Sequence, residues 1–229
     1  MSLLYLIRHG QASAGTHDYD RLSEVGHEQS RLLGQWWGSQ GFEPAAIHYG
    51  TLKRQRETAH GALEGMGLTT DHVDCQSDKG LNEYDHRVIE TFFAHESSDD
   101  TPESLTFEEY LGIMQRWRDH KLTGASAVDT PEFETFERFK QRGWSTVRQI
   151  MDSNNRSERI AFFTSGGIIA TILSSILDLD FEHMVDAIWR IRNSSITTLH
   201  YNGERTRLVE FNTIPHLQTE HKPSLITLI

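Results

Sequence analysis

Cysteine is almost missing from these 229 residues; there is one, Cys75. A lone cysteine excludes an intrachain disulfide and any multi-cysteine zinc site. Basic residues are also in deficit, 22 Lys and Arg against 33 Asp and Glu, for a formal net charge of −11. That balance argues against a general nucleic-acid or membrane-surface binder, both of which need basic faces. No apolar run is long enough to span a bilayer, and the short N-terminal run lacks the basic flank of a signal peptide. A cytoplasmic protein with no membrane partner is the expectation. There is no internal repeat, low-complexity linker or disorder signature. What remains is a chain with 37% apolar residues, long enough for one α/β domain or a domain carrying an insertion.

The most informative stretch is Leu3-Leu4-Tyr5-Leu6-Ile7-Arg8-His9-Gly10-Gln11. Five apolar residues, too few for a helix, read as a buried strand. Arg8, His9 and Gly10 stand where that strand ends, which in open α/β sheets is where ligands sit. His9 has the chemistry of a base, a metal ligand or a nucleophile. Arg8 is a permanent cation suited to phosphate, and Gly10 permits a sharp turn or a close approach. On these residues alone, ordinary polar side chains leaving a strand fit as well.

Downstream, Ser23 suits a helix N-cap with Glu24 in the first turn, Val25, Gln29, Leu32, Leu33 and Trp36 at helical spacing, and Gly41 as a stop. Ala45 to Gly50 reads as a second strand and Leu52 to Gly65 as its helix. His17, His27 and Arg56 read as surface residues. Tyr84 to Asn155 has no strand pattern. It carries an apolar helical stripe through Tyr110, Leu111, Met114 and Trp117, a loop at Ser97–Pro102, and a long amphipathic helix entered through Thr130-Pro131 and running from Phe133 past Val147 to Ile150. Arg159 to Ser165 reads as another buried strand feeding Ser165-Gly166-Gly167 and an apolar helix to Leu177. Asn193 to Phe211 reads as a hairpin closed by an Asn202-Gly203 turn.

Strand-Arg8-His9-Gly10 near the N-terminus resembles the histidine phosphatase superfamily, which includes the phosphoglycerate mutases. Leu22-Ser23-Glu24-Val25-Gly26 is similar to its Leu-Ser/Thr-x-x-Gly helix. Leu52-Lys53-Arg54-Gln55-Arg56-Glu57-Thr58-Ala59 is similar to its Leu-x-Arg-Ala-x-x-Thr-Ala segment, Leu81-Asn82-Glu83 to its Leu-x-Glu, and Asn212 to Leu217 to its closing segment. Glu134-Thr135, followed by Arg142, is fainter, lacking the glycine of the family's Gly-Glu-Ser. One motif is broken: the superfamily usually has His-Gly-Gly where this chain has Ser165-Gly166-Gly167.

The resemblance implies a three-layer α/β/α sandwich with a mostly parallel sheet and a C-terminal hairpin. It would be a single domain over 1–229 with a helical cap inserted at about 84–155, where Phe92 and Phe93 are candidates to line the lid. It implies a phosphohistidine on His9, with Arg8 and Arg54 gripping the phosphoryl group and Glu83 as proton donor. Gly10, Gln11, Ser165 and Gly166 would be substrate-binding. No metal or other cofactor is called for, and the partner is a phosphorylated small molecule or a phosphoprotein. Ser165 in place of a histidine removes one donor, which implies a slow or selective phosphomonoester hydrolase; His86 or His200 are candidates to fill the space. The alternative is an impaired, ligand-binding member of the fold. A mutase is disfavoured, because Ala12-Ser13-Ala14-Gly15 lacks the mutases' Ser-x-Trp-Asn. A serine hydrolase is disfavoured because Thr164-Ser165-Gly166-Gly167 is not the Gly-x-Ser-x-Gly elbow.

Overall fold

The computed structural model describes residues 2–13, 20–93, 105–119, 134–153, 158–218 and 222–228. Strand β1 (Ser2–Arg8) is central because its alternating side chains are wanted on both faces: Leu4 and Leu6 point into one layer, Tyr5 and Ile7 into the other. It pairs in parallel with β4 (Arg159–Thr164), which pairs in parallel with β2 (Ala46–Tyr49). Beyond β2 lies β3 (Asp74–Ser77), also parallel. On the other side, β5 (Ile196–Tyr201) and β6 (Thr206–Thr213) are antiparallel. The six-stranded order is β3-β2-β4-β1-β5-β6.

Helices cover both faces, as expected of a three-layer sandwich. On one, α1 (Glu24–Ser39) and α2 (Lys53–Gly65) pack Leu33, Trp37, Ala59, Ala62 and Leu63 onto Ile7, Ile47, Ala161 and Phe163. Ser23 caps α1, its hydroxyl accepting from Gly26 N at 3.1 Å. On the other face lie α3 (Arg87–Phe93), α4 (Phe107–Asp119), α5 (Phe136–Ser153), α6 (Gly166–Leu177) and α7 (Phe181–Arg190). Their buried residues form one apolar cluster with Leu4, Leu6, Ile160 and Phe162.

Several expectations need correction. Asn202-Gly203 is not a two-residue turn; the loop runs from 202 to 205, with Asn202 Oδ1 accepting from the amides of Glu204 and Arg205 at 3.1 and 2.8 Å. Phe92 lines no lid, being buried in the apolar cluster with Trp117 and Phe139. The long helix begins at Phe136 rather than Phe133. The expected loop at Ser97–Pro102, the lead-in Thr130–Phe133, the side chain of Phe93, and Ala14, Gly15 and His17 lie outside the described residues.

The register of the sheet decides where the motif residues meet. Arg8 is level with Thr164, and Tyr49 with Phe163. His9, Gly50 and Ser165 therefore leave three neighbouring parallel strands at the same edge.

Candidate active site

His9 is held by its backbone before its side chain is considered. Its N–H donates to Thr164 O at 2.9 Å, and its carbonyl accepts from Ser194 N at 3.2 Å and Asn193 Nδ2 at 3.3 Å. Gly10 has no room for a side chain: a Cβ there would lie 2.6 Å from the Gly26 carbonyl. That close approach seats the turn on the first residues of α1. The imidazole is buried, with Nδ1 2.7 Å from Gly10 O. A carbonyl can only accept, so Nδ1 carries the proton and Nε2 the lone pair. Arg54 Nε donates to that lone pair at 3.1 Å. Burial, then the charges of Arg54 and Arg8, hold His9 well below the usual imidazole range, against a smaller opposing effect of the Gly10 carbonyl. His9 is thus a neutral imidazole with its lone pair facing a cation.

Arg54 reaches this place because it stands in the first turn of α2, directly after β2. Its carbonyl accepts from Thr58 Oγ1 at 2.6 Å, and Thr58 Oγ1 in turn accepts from Gly10 N at 2.9 Å, tying α2 to the His9 turn. Asp20 completes the arrangement. One carboxylate oxygen accepts from Arg54 Nη1 at 2.7 Å and the other from Lys53 N at 2.9 Å. Leu52 has no capping side chain of its own, so Asp20 caps α2 from another loop while fixing the guanidinium. Arg56 is exposed, as its position in the helix leads one to expect. Arg8 Nη1 donates to the carbonyls of Ile191 and Leu228, and its charge acts on both His9 and Glu83.

Glu83 follows a short 3-10 turn, Lys79–Leu81, and its carboxylate lies at the start of α6. Oε2 accepts from Gly167 N at 2.9 Å and Oε1 from Tyr84 N at 3.1 Å. A Cβ on Gly167 would sit 2.2 Å from Oε1, so this approach exists only because residue 167 is glycine. Burial raises the Glu83 carboxyl above its ordinary value; the two amides and the two arginines oppose this less strongly. Arg142 secures the segment from α5, donating through Nη1 to Gly80 O at 2.8 Å and Asn82 O at 2.9 Å. Glu134 holds Arg142 in turn, through paired contacts of 2.8 and 2.7 Å. Its carboxylate therefore acts on the loop that carries Glu83.

The structure thus brings together Arg54, His9 and Glu83, with Arg8 close enough to act on the last two electrostatically. Gly166 runs beside Arg8, a Cβ there lying 3.8 Å from Arg8 Nε. Gln11 Oε1 accepts from the Ser23 hydroxyl at 2.8 Å, which ties that atom to the start of α1. The Ser165 hydroxyl is fully buried and accepts from Gln55 Nε2 at 2.8 Å. Neither candidate histidine fills the neighbouring space: His86 is exposed, and His200 pairs with Leu3 at the opposite end of β1. Sequence reading missed Asp20, Thr58 and Gln55. For Asp20 the available signal was an uncapped helix start immediately before an arginine. Among the described residues no three His, Cys, Asp or Glu side chains cluster as a metal site requires. Nor is any helix there long and apolar enough to cross a membrane.

A buried neutral histidine after the first strand, an arginine from the second helix and a carboxyl at a later helix start define a class. The chain belongs to the histidine phosphatase superfamily (branch 1), whose family model matches residues 4–214. Among solved structures it is similar to Bacillus stearothermophilus YhfR, with a TM-score of 0.65 and 20% identity, covering 95% of this chain and 100% of that one. A phosphoserine phosphatase mutant from Entamoeba histolytica, in complex with phosphoserine, gives 0.64 and 18% over 95% and 100% of the two chains. A mycobacterial glucosyl-3-phosphoglycerate phosphatase gives 0.61 and 21% over 92% and 98%. At these identities the likeness shows the fold.

Proposed function

We propose that the chain is a phosphomonoester hydrolase that works through a phosphohistidine on His9 and acts on a phosphorylated small molecule. The observation that carries this reading is the state of His9: proton on Nδ1 at the Gly10 carbonyl, lone pair on Nε2, and the guanidinium of Arg54 3.1 Å from that lone pair. A nucleophile for phosphorus needs this tautomer, and the phosphoryl oxygens need the cation beside it. Two of the similar structures, the phosphoserine and glucosyl-3-phosphoglycerate enzymes, are phosphatases of small phosphorylated molecules, which agrees with the reading.

In the first step the Nε2 lone pair attacks phosphorus and the P–O bond to the alcohol breaks. The carboxylic acid of Glu83 gives its proton to the departing alkoxide, a task suited to a carboxyl whose pKa is raised. In the second, the Glu83 carboxylate takes a proton from water, whose oxygen attacks phosphorus. The P–N bond breaks and its electron pair returns to Nε2. Arg8 and Arg54 neutralise the equatorial oxygens throughout, where most of the catalysis lies. With that charge supplied by guanidiniums, turnover of p-nitrophenyl phosphate should be unchanged by a chelator; loss of activity restored by a divalent ion would contradict the mechanism.

Glu83→Gln should separate the acid's role from the rest of the site. For an alkyl phosphate, kcat/KM should fall about 10²–10⁴-fold. For p-nitrophenyl phosphate, whose leaving group needs little protonation, the fall in kcat/KM should be within about tenfold. In the native protein kcat/KM should fall on the alkaline side as Glu83 loses its proton, at a pH above the ordinary carboxyl range. That limb should vanish in the variant. Gly167→Ala should act on the same group, lowering kcat/KM for alkyl phosphates about 100-fold by displacing the carboxylate. Equal losses for both leaving groups would show that Glu83 is not the acid.

A second reading, a ligand-binding member of the fold with little turnover, is favoured by one contact. The Asp20 carboxylate lies 2.7 Å from Arg54 Nη1 and offsets part of the positive charge. Phosphate binding by the native protein without hydrolysis of any phosphomonoester would select that reading.

A further inference from the structure

One buried side chain touches the ends of two strands and the loop of the acid. It is Gln55, next to Arg54 on α2, and it is 0% exposed. Its amide nitrogen has two hydrogens, and both have acceptors: the Leu81 carbonyl at 3.0 Å and the Ser165 hydroxyl oxygen at 2.8 Å. Turning the amide over would set Oε1 against the Leu81 carbonyl, so the orientation is fixed. Oε1 lies over Gly50 at the end of β2, where a Cβ would be 1.8 Å from it. The Leu81 carbonyl also accepts from Thr164 Oγ1 at 2.6 Å. The segment two residues before Glu83 is therefore held from α2 and from β4 together.

Ser165, equally buried, uses its oxygen as the acceptor in this pair and presents no atom to solvent. The two side chains are in direct contact, the Gln55 amide donating to the Ser165 oxygen.

We infer that Gln55 is a positioning residue that, paired with Ser165, locks the Glu83 loop to the ends of β2 and β4. The kinetic part of this rests on the phosphohydrolase reading; the packing part does not. Ser165→His alone then has no room for its ring, because close-packed interiors tolerate added volume poorly.

The test is a cycle of the full chain, Gln55→Ala, Ser165→His and the double variant. It reads melting temperature, calorimetric binding of inorganic phosphate, and kcat and KM for an alkyl phosphate against pH. Ser165→His should melt lower and lose about tenfold or more in kcat/KM. Gln55→Ala should lower kcat with KM near the native value, since the arginines stay in place. The double variant should recover both losses, bind phosphate more tightly than the native protein, and gain an ionisation in the imidazole range of its pH profile. Additive effects in melting temperature and phosphate affinity, or a gain in activity from Ser165→His alone, would overturn the pairing. Gln55→Met, which keeps length without the amide, guards against a variant that does not fold. A drop in kcat at unchanged KM supports the positioning role, and native kcat and pH profile refute it. If the native protein hydrolyses no phosphomonoester, the functional reading fails, while coupling in melting temperature and phosphate binding still decides the packing claim.

Discussion

His9→Ala is expected to abolish hydrolysis of every phosphomonoester the native protein turns over, with kcat/KM falling about 10⁴-fold or more. The loss should be chemical rather than structural. The backbone bonds that hold residue 9, to Thr164, Ser194 and Asn193, do not depend on the imidazole. The variant should also bind inorganic phosphate at least as well as the native protein, because Arg54 Nε no longer has the His9 lone pair as its acceptor. Steady-state kinetics beside calorimetric phosphate binding separates these effects. A folded variant that no longer binds phosphate would make His9 a binding residue, and an active one would remove it from the mechanism.

Arg54→Ala should be nearly as damaging, about 10³-fold or more in kcat/KM, the range seen when an arginine is removed from a transferring phosphoryl group. It has a second readout that needs no turnover. Arg54 is the largest charge holding the His9 pKa down, after burial. Without it the imidazole pKa must rise, so at a given acidic pH more of the nucleophile is protonated. An NMR titration of the His9 ring, assigned by its absence in His9→Ala, should move upward in the variant. Arg54→Lys keeps the charge but loses the fork that serves His9 and Asp20 at once, and should recover little of the rate. An unmoved titration would show that Arg54 does not face the ring in solution.

How much of this was legible in the sequence depended on the kind of signal each element carries. β1 and β4 are buried on both faces, so their apolar runs announce them, and Arg8, His9 and Ser165 are placed by where those runs stop. Arg54 could be placed because a helix start after a strand has local chemistry and a matching motif; Glu83 was placed by the Leu81-Asn82-Glu83 motif alone, the helix start it meets lying far along the chain. β3 was invisible: Asp74-Cys75-Gln76-Ser77 is an exposed edge paired only with β2, so no apolar pattern marks it. α7 was missed because it comes after α6 with only Asp178, Leu179 and Asp180 between. Asp178 turns left-handed with φ of 55°, and Asp180 caps the new helix through His183 N. Asp20 and Gln55 were missed for a different reason. Each works on a partner far along the chain, Asp20 on Arg54 and Gln55 on Ser165, and only the fold brings such pairs within reach. Phe92 misled because an aromatic residue in a helical stretch reads the same whether it faces a ligand or, as here, the core.

The most direct test is to catch the intermediate. Glu83→Gln should slow breakdown of the phosphoenzyme more than its formation from p-nitrophenyl phosphate, so a base-quenched reaction of that variant, digested and mapped by mass spectrometry, should carry one phosphoryl group on the peptide containing His9. The group should be stable in base and lost in acid, as a phosphoramidate is. A phosphoryl group on any other residue, or rapid turnover with none trapped and His9→Ala still active, would contradict the account.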